Sequence, residues 1–138
     1  MSLLASLLLA QAAAASPAAL PPLPTFDAPP SEAVAEEIVV IGRRMEEWKG
    51  GLASKDGRLT CLTRKSSGDA DVDAIRCGAM LRCFAPEQAE FARLAALDIP
   101  RKERDVKMQA HAETLVPCMD AAHEAGMRYL AESRAGAR

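Results

Sequence analysis

The sequence predicts a mainly α-helical domain of three to four helices with a small N-terminal β-hairpin, held together by two disulfides. Three observations predict this fold class. Apolar residues recur every three or four positions over much of residues 69–138, Asp56-Gly57 is a tight-turn pair between two strand-like stretches, and the cysteines number four. The periodicity sets the class, while the turn and the cysteines add the small β element and the covalent cross-links.

Charge divides the chain into two parts. The first 42 residues contain no Lys or Arg, four acids and six of the nine prolines. The remaining residues, 43–138, hold all 17 basic residues and 15 of the 19 acids, so the net charge is −4 in front and +2 behind. About 100 residues remain for one domain, which excludes a βα barrel and a two-domain dinucleotide-binding enzyme. The near-neutral balance gives no reason to expect a nucleic-acid partner.

An export signal is predicted over residues 1–15. Residues 3–15 are a short apolar run that ends in Ala13-Ala14-Ala15, small residues of the kind that a signal peptidase requires. The run is shorter than the roughly 20 apolar residues of a membrane span. We therefore expect cleavage after Ala15, a periplasmic or secreted bacterial protein, and no transmembrane segment.

A disordered Pro/Ala-rich spacer is predicted over residues 16–36, followed by a single small domain over residues 37–138. Proline fixes φ and has no N–H to donate, so an extended and solvated spacer is expected.

Two disulfides are predicted from Cys61, Cys77, Cys83 and Cys118. No C-x2-C pair occurs, which argues against a zinc ribbon or a thioredoxin-like site, and an even count behind an export signal is typical of bridges. Cys77 and Cys83 lie six residues apart on one predicted helix, about 9 Å, which is too far for a bridge. The preferred pairing is Cys61–Cys77 with Cys83–Cys118, and Cys61–Cys83 with Cys77–Cys118 remains open.

Two segments are predicted to be strands before the helices begin. Residues 38–41 are Ile-Val-Val-Ile, a β-branched run ended by Gly42. Residues 58–64 form the second strand, which the Asp56-Gly57 turn pairs with the stretch around Trp48–Ser54.

The helices follow from caps and prolines. Asp69 or Asp71 is expected to cap a helix that runs to about residue 84. Prolines are expected to start two further helices and to kink or break the last of them. These are Pro86, Pro100 and, at the break, Pro117.

Residues 36–44, Glu-Glu-Ile-Val-Val-Ile-Gly-Arg-Arg, resemble the TonB box of TonB-dependent outer-membrane receptors. In that family the box adds as a strand to the periplasmic TonB domain, a mode in which backbone hydrogen bonds provide affinity. The resemblance implies a periplasmic protein partner of the TonB type. It would be bound through Glu37, Ile38, Val39, Val40 and Ile41. The alternative is that Ile38–Ile41 packs as a strand of the domain itself.

The chain also resembles a group of small secreted proteins of alphaproteobacteria, a resemblance that implies no activity. The shared features are Ile38–Arg43, Trp48–Gly50, Thr63–Asp69 and the four cysteines.

Met119, His123 and Met127 are spaced i, i+4, i+8 and share one face of a predicted helix. Thioether and imidazole are ligands that suit Cu(I), so these residues are a candidate metal site. Helix packing is the alternative, because Met fills irregular gaps in a core.

No motif of a known catalytic class is present. The sequence lacks a Gly-x-Ser-x-Gly elbow, a Gly-rich phosphate loop and a His-Glu-x-x-His pair, and the acids of residues 66–73 suit a helix cap better than a calcium loop. We therefore expect a non-catalytic exported accessory or binding protein of the bacterial envelope, with no cofactor. A periplasmic Cu(I)-binding protein is the alternative.

Overall fold

The structure is a computed structural model that describes residues 20–138, and it confirms the predicted fold class. The predicted export signal, residues 1–15, lies outside the described residues. Five α-helices, one turn of 3-10 helix and one β-hairpin follow each other in the described part. They are α1 (Glu32–Glu47), β1 (Lys49–Lys55), β2 (Arg58–Lys65), α2 (Ala70–Phe84), the 3-10 turn (Ala85–Glu87), α3 (Gln88–Ala95), α4 (Arg101–Glu113) and α5 (Val116–Gly136).

The prediction of a strand at residues 38–41 is wrong, because these residues lie in the middle of α1. Ser31 caps this helix by accepting a 3.3 Å hydrogen bond from the Val34 N–H. Val34, Ile41 and Met45 are buried and recur at i, i+7 and i+11, so one face of the helix enters the core. The β-branched run spans both faces of α1, and amphipathic burial over four turns overrides its local strand preference.

The predicted hairpin is present as a two-stranded antiparallel sheet in which Leu52 pairs with Cys61. Asp56 and Gly57 connect the strands with positive φ angles of 51° and 73°. Two consecutive positive φ angles match the right-handed twist of a hairpin, which is why the Asp-Gly pair is favoured there.

Trp48 fixes this hairpin to the helices. Its indole is 2% exposed and donates a 3.1 Å hydrogen bond to the Thr63 Oγ1. The guanidinium carbon of Arg76 on α2 lies 5.2 Å from the ring centroid. Gly50 makes this arrangement possible, because a Cβ at that position would collide with the Trp48 ring and with the Leu62 carbonyl.

The core consists of two clusters along the α2–α5 pair. The first cluster forms where α1 lies on α2 and α5, and the second lies nearer the Cys83–Cys118 bridge. The buried members are Val34, Ile41, Met45, Val72 and Ala131 in the first and Ala79, Cys83 and Ala122 in the second. Most of these side chains are small, so the core is thin for a chain of this length.

The preferred disulfide pairing is confirmed. Cys61–Cys77 joins β2 to α2 across a Cα–Cα distance of 5.6 Å, and Cys83–Cys118 joins α2 to α5 across 5.9 Å. Each bridge ties α2 to a different neighbour, so α2 is cross-linked on both sides.

The predicted break near Pro117 is also present. The backbone leaves the helix between α4 and α5, and Pro117 lies in the first turn of α5. No residue of α4 is buried. Instead, the His111 Nε2 lies 2.9 Å from a Glu87 carboxylate oxygen, and its ring meets the Phe91 ring edge-on at 4.9 Å. His111 is therefore hydrogen-bonded at the inner face of α4.

Candidate functional site

The residues predicted to bind a partner as a strand belong to α1. Ile41 is completely buried, whereas Val39 and Val40 are 53% and 44% exposed. Glu37 forms an ion pair with Arg138 at the end of the chain. Because the backbone amides of this segment are used within the helix, strand addition through residues 36–42 would require α1 to unwind.

The three candidate metal ligands have three different surroundings. Met119 packs against the cluster of Ala79, Cys83 and Ala122, and Met127 packs against the cluster beneath α1. His123 faces the guanidinium of Arg76, with 3.5 Å between Nη1 and Nε2. Burial, and next the positive charge of Arg76, lower the pKa of His123. A fixed cation beside the imidazole disfavours a second cation there.

The acids of residues 66–73 are engaged in a helix cap. Asp69 accepts hydrogen bonds from the Asp71 and Val72 N–H groups, and Arg134 of α5 donates to both of its carboxylate oxygens at 2.9 Å. Asp73 accepts from the Ser66 and Ser67 hydroxyls, which lowers the pKa of its carboxyl. Within residues 20–138, no group of three or more His, Cys, Asp or Glu side chains is placed to hold a metal ion.

A groove of about 1020 Å³ lies between α2 and α5. The two helices that form its floor contribute mostly small side chains. Gly126 lets the helices approach closely, since a Cβ there would lie 2.9 Å from the Ile75 Cγ2. Gly78, in contrast, faces open space, because a Cβ there would meet no atom within 4 Å. The lining residues with small side chains are Ala74, Gly78 and Ala79 of α2, Ala122, Ala125 and Gly126 of α5, and Ala85 of the 3-10 turn.

Residues 20–30 are called the strap below, and their first part, residues 20–24, forms one wall of this groove. They run across α2 and α5 without helix or strand hydrogen bonding, and Leu20, Pro21, Leu23 and Pro24 face the groove. Leu23 packs against the second core cluster. Leu23 and Phe26 are the half-buried residues of the strap, and their separation of three residues matches the repeat of an extended proline-rich helix.

Two arginines hold the strap at its ends. The Arg82 Nη2 donates a 2.7 Å hydrogen bond to the Pro21 carbonyl. The Arg128 Nη2 donates a 2.9 Å hydrogen bond to the Ala28 carbonyl, and its guanidinium carbon lies 4.7 Å from the Phe26 ring centroid.

The spacer predicted over residues 16–36 therefore differs from the structure where it is described. Its last residues form the first turns of α1, which begins at Glu32. Before them, the strap is bound to the helices, because its two half-buried side chains and two of its carbonyls find partners on α2 and α5. A proline-rich backbone cannot use those carbonyls in its own ladder, so arginine donors from elsewhere satisfy them.

The chemistry of the groove is simple. Among the lining residues of the described chain, Arg82 is the single charged one, and nearly all the others are apolar. Ligand pockets typically combine an apolar wall with a few polar groups that fix orientation, in volumes of about 300–1000 Å³. The groove can therefore take up a mainly apolar ligand, with one cation to orient it.

Sequence reasoning did not identify this groove. The sequence carries a weak signal of it in two patterns. Small residues recur along one side of α2 and of α5, and Leu23 and Phe26 are three residues apart. Neither pattern shows that the strap returns to a helix about 60 to 100 residues further along the chain, as the two arginine bonds do.

Comparison with known proteins identifies no relative. No protein-family model matches the chain, and neither a curated protein nor a solved structure matches it significantly. In the described part of the chain, no helix has the length and apolar character needed to cross a membrane.

Proposed function

We propose that this chain is an exported, non-catalytic binding protein of the bacterial envelope that takes up an apolar ligand in the groove between α2 and α5. The observation that carries the proposal is the groove itself, about 1020 Å³ in volume, apolar, and walled by the chain's own strap. An apolar surface of this kind is unfavourable in water unless something covers it.

The two disulfides support the proposed export. Bridges of this kind persist in oxidising compartments such as the periplasm and the cell exterior. Each cysteine is paired, and no free cysteine occurs in the described residues. The amino-terminal apolar run and the Ala13-Ala14-Ala15 exit support the same location.

The contacts of α1 favour the groove over a TonB-type partner as the main binding function. Strand addition through residues 36–42 would expose Ile41, which is completely buried, and break the helix around it. Val39 and Val40 are exposed on the surface of α1, so a protein partner could still contact the helix there without strand addition. The proposed Cu(I) site is likewise weakened by the Arg76 guanidinium beside His123.

Binding of the neutral fluorophore Nile red tests the proposal. Its fluorescence should rise on mixing with the full exported chain, and Gly78→Leu should abolish the rise by filling the groove. A Cβ at Gly78 has open space around it, and replacing a helix-interior Gly gains roughly 0.5–1 kcal/mol in helix propensity. Loss of binding would therefore not reflect unfolding.

Gly136→Leu is the matched control, because Gly136 lies at the end of α5, has open space around it and does not line the groove. An unchanged fluorescence rise in Gly78→Leu, or no rise with the wild-type chain, would overturn the proposed site.

A further inference from the structure

We propose that the ligand of the α2–α5 groove is a long-chain carboxylate whose head group binds the guanidinium of Arg82 while its hydrocarbon chain lies along the apolar floor. This inference rests on the proposed function, and it adds the chemical class of the ligand and the residue that selects it.

Charge complementarity favours this class of ligand. Arg82 is the charged member of an otherwise nearly apolar lining, and no Asp or Glu lines the groove with it. Within residues 20–138, no carboxylate lies within ion-pair distance of Arg82. A half-buried cation without an acid, next to an apolar volume, complements a ligand with one negative end and an apolar body.

The hydrogen-bonding capacity of Arg82 favours it as well. An arginine side chain has five N–H donors, and the described residues accept from Arg82 at one position, the Pro21 carbonyl. The described residues therefore leave its other donors unused. A guanidinium binds a carboxylate through two parallel N–H···O bonds, a geometry that a neutral ester cannot match.

Arg128 provides the contrast within the same structure. It also holds the strap, but its Nε donates to the Glu132 Oε1 at 2.6 Å, and its guanidinium stacks on Phe26. Arg128 already has a carboxylate partner, and it does not line the groove. Of the two arginines that hold the strap, Arg82 is thus the one placed to select an anion.

The strap links ligand binding to the fold. Pro21 accepts from Arg82 and also faces the groove, so the residue that would bind the head group also holds the wall over the hydrocarbon chain. A bound carboxylate would leave the wall in place if it used the remaining donors of Arg82.

Calorimetric titration of the full exported chain with laurate and with methyl laurate tests this inference. The two probes share a hydrocarbon chain and differ in charge. We expect laurate to bind about tenfold or more tightly than its methyl ester, the range of a charge-assisted hydrogen-bond pair. Arg82→Met should remove this preference, Arg82→Lys should keep part of it, and Arg101→Met, which removes an exposed cation of α4, should keep all of it.

Equal affinities for laurate and methyl laurate in the wild-type chain would overturn the inference, and so would a preference that persists in Arg82→Met. If Arg82→Met loosens the strap, the affinities for laurate and for methyl laurate should both fall, since both probes need the same wall. The ratio of the two affinities therefore still reports the preference for the carboxylate. Nile red binding that Gly78→Leu blocks, together with equal affinities, would leave the proposed groove standing and reject the carboxylate. Absence of binding for all three probes would reject both proposals.

Discussion

Arg128 and Ala28 lie 100 residues apart in the sequence, and a 2.9 Å hydrogen bond from the guanidinium to the carbonyl joins them. The same guanidinium lies over the Phe26 ring. This pair fixes the second half of the strap to α5, so a proline-rich segment becomes part of the folded surface. Without such bonds, a segment of this composition would gain little from leaving water.

Arg128→Met should release this half of the strap. The strap loses one hydrogen bond from a charged donor and one cation–π contact, together about 2 kcal/mol. Chymotrypsin cleavage after Phe26, followed by mass spectrometry, should accelerate by roughly 30-fold, because cleavage tracks the population of the released strap. Glu132→Gln is the control, since it removes only the partner of Arg128 on α5 and should change the rate little. Equal cleavage rates in wild type and Arg128→Met would show that the strap is held by other contacts.

Gly50→Ala should destabilise the protein by about 1–3 kcal/mol, as overpacking does. Its methyl group would meet the Trp48 ring on one side and the Leu62 carbonyl on the other, and the backbone carbonyl cannot move aside. Urea unfolding followed by Trp48 fluorescence measures the effect. Gly51→Ala in the same strand has open space and should be neutral or stabilising by about 0.5 kcal/mol. A similar fall in the free energy of unfolding in both variants would mean that glycine is needed for the backbone conformation of the strand and not for the contact with Trp48.

The helix cap at Asp69 should make stability depend on pH. Burial acts to raise the pKa of Asp69, but hydrogen bonds from Arg134 and from the Val72 N–H outweigh it and hold the pKa below its usual 3.8. The pKa of Asp69 is lower in the folded state than in the unfolded state. The stabilisation that the Asp69 carboxylate gives to the folded state is therefore complete above about pH 4 and is lost as the pH falls through the folded-state pKa.

Asp69→Asn should therefore cost about 1 kcal/mol at pH 7, and the gap to wild type should close below about pH 4. Asparagine keeps an acceptor for the cap, so the substitution isolates the charge that pairs with Arg134. Asp71→Asn is the control, because the Asp71 side chain is 71% exposed and its ion pair is worth little. Thermal unfolding across this pH range measures both variants, and a gap that stays constant from pH 7 to pH 3 would contradict the assignment.

Local signals predicted most of this fold. The Asp56-Gly57 turn, the Asp69 cap and the break before Pro117 each depend on a residue whose backbone preference is strong, and each is present. Helix geometry excluded a Cys77–Cys83 bridge, since six residues of one helix separate the two cysteines, and the preferred one of the two remaining pairings is present.

The two features that sequence reasoning missed depend on distant contacts. Residues 38–41 have a strong strand preference, and only the repeat of Val34, Ile38, Ile41 and Met45 against α2 and α5 makes them helical. That spacing is visible in the sequence, but the β-branched run favours a strand by its local preference. The small residues of α2 and α5 are too weak a signal to predict the groove, because predicting it requires knowing that the strap folds back onto these helices.

Amide hydrogen exchange of the full chain, with and without saturating Nile red, tests the central claim most directly. We expect slower exchange in the strap and in the parts of α2 and α5 around Gly78 and Gly126, with no change in the hairpin. Protection that appears instead in the hairpin or in α4, with the strap unaffected, would contradict the claim that the α2–α5 groove is the ligand site.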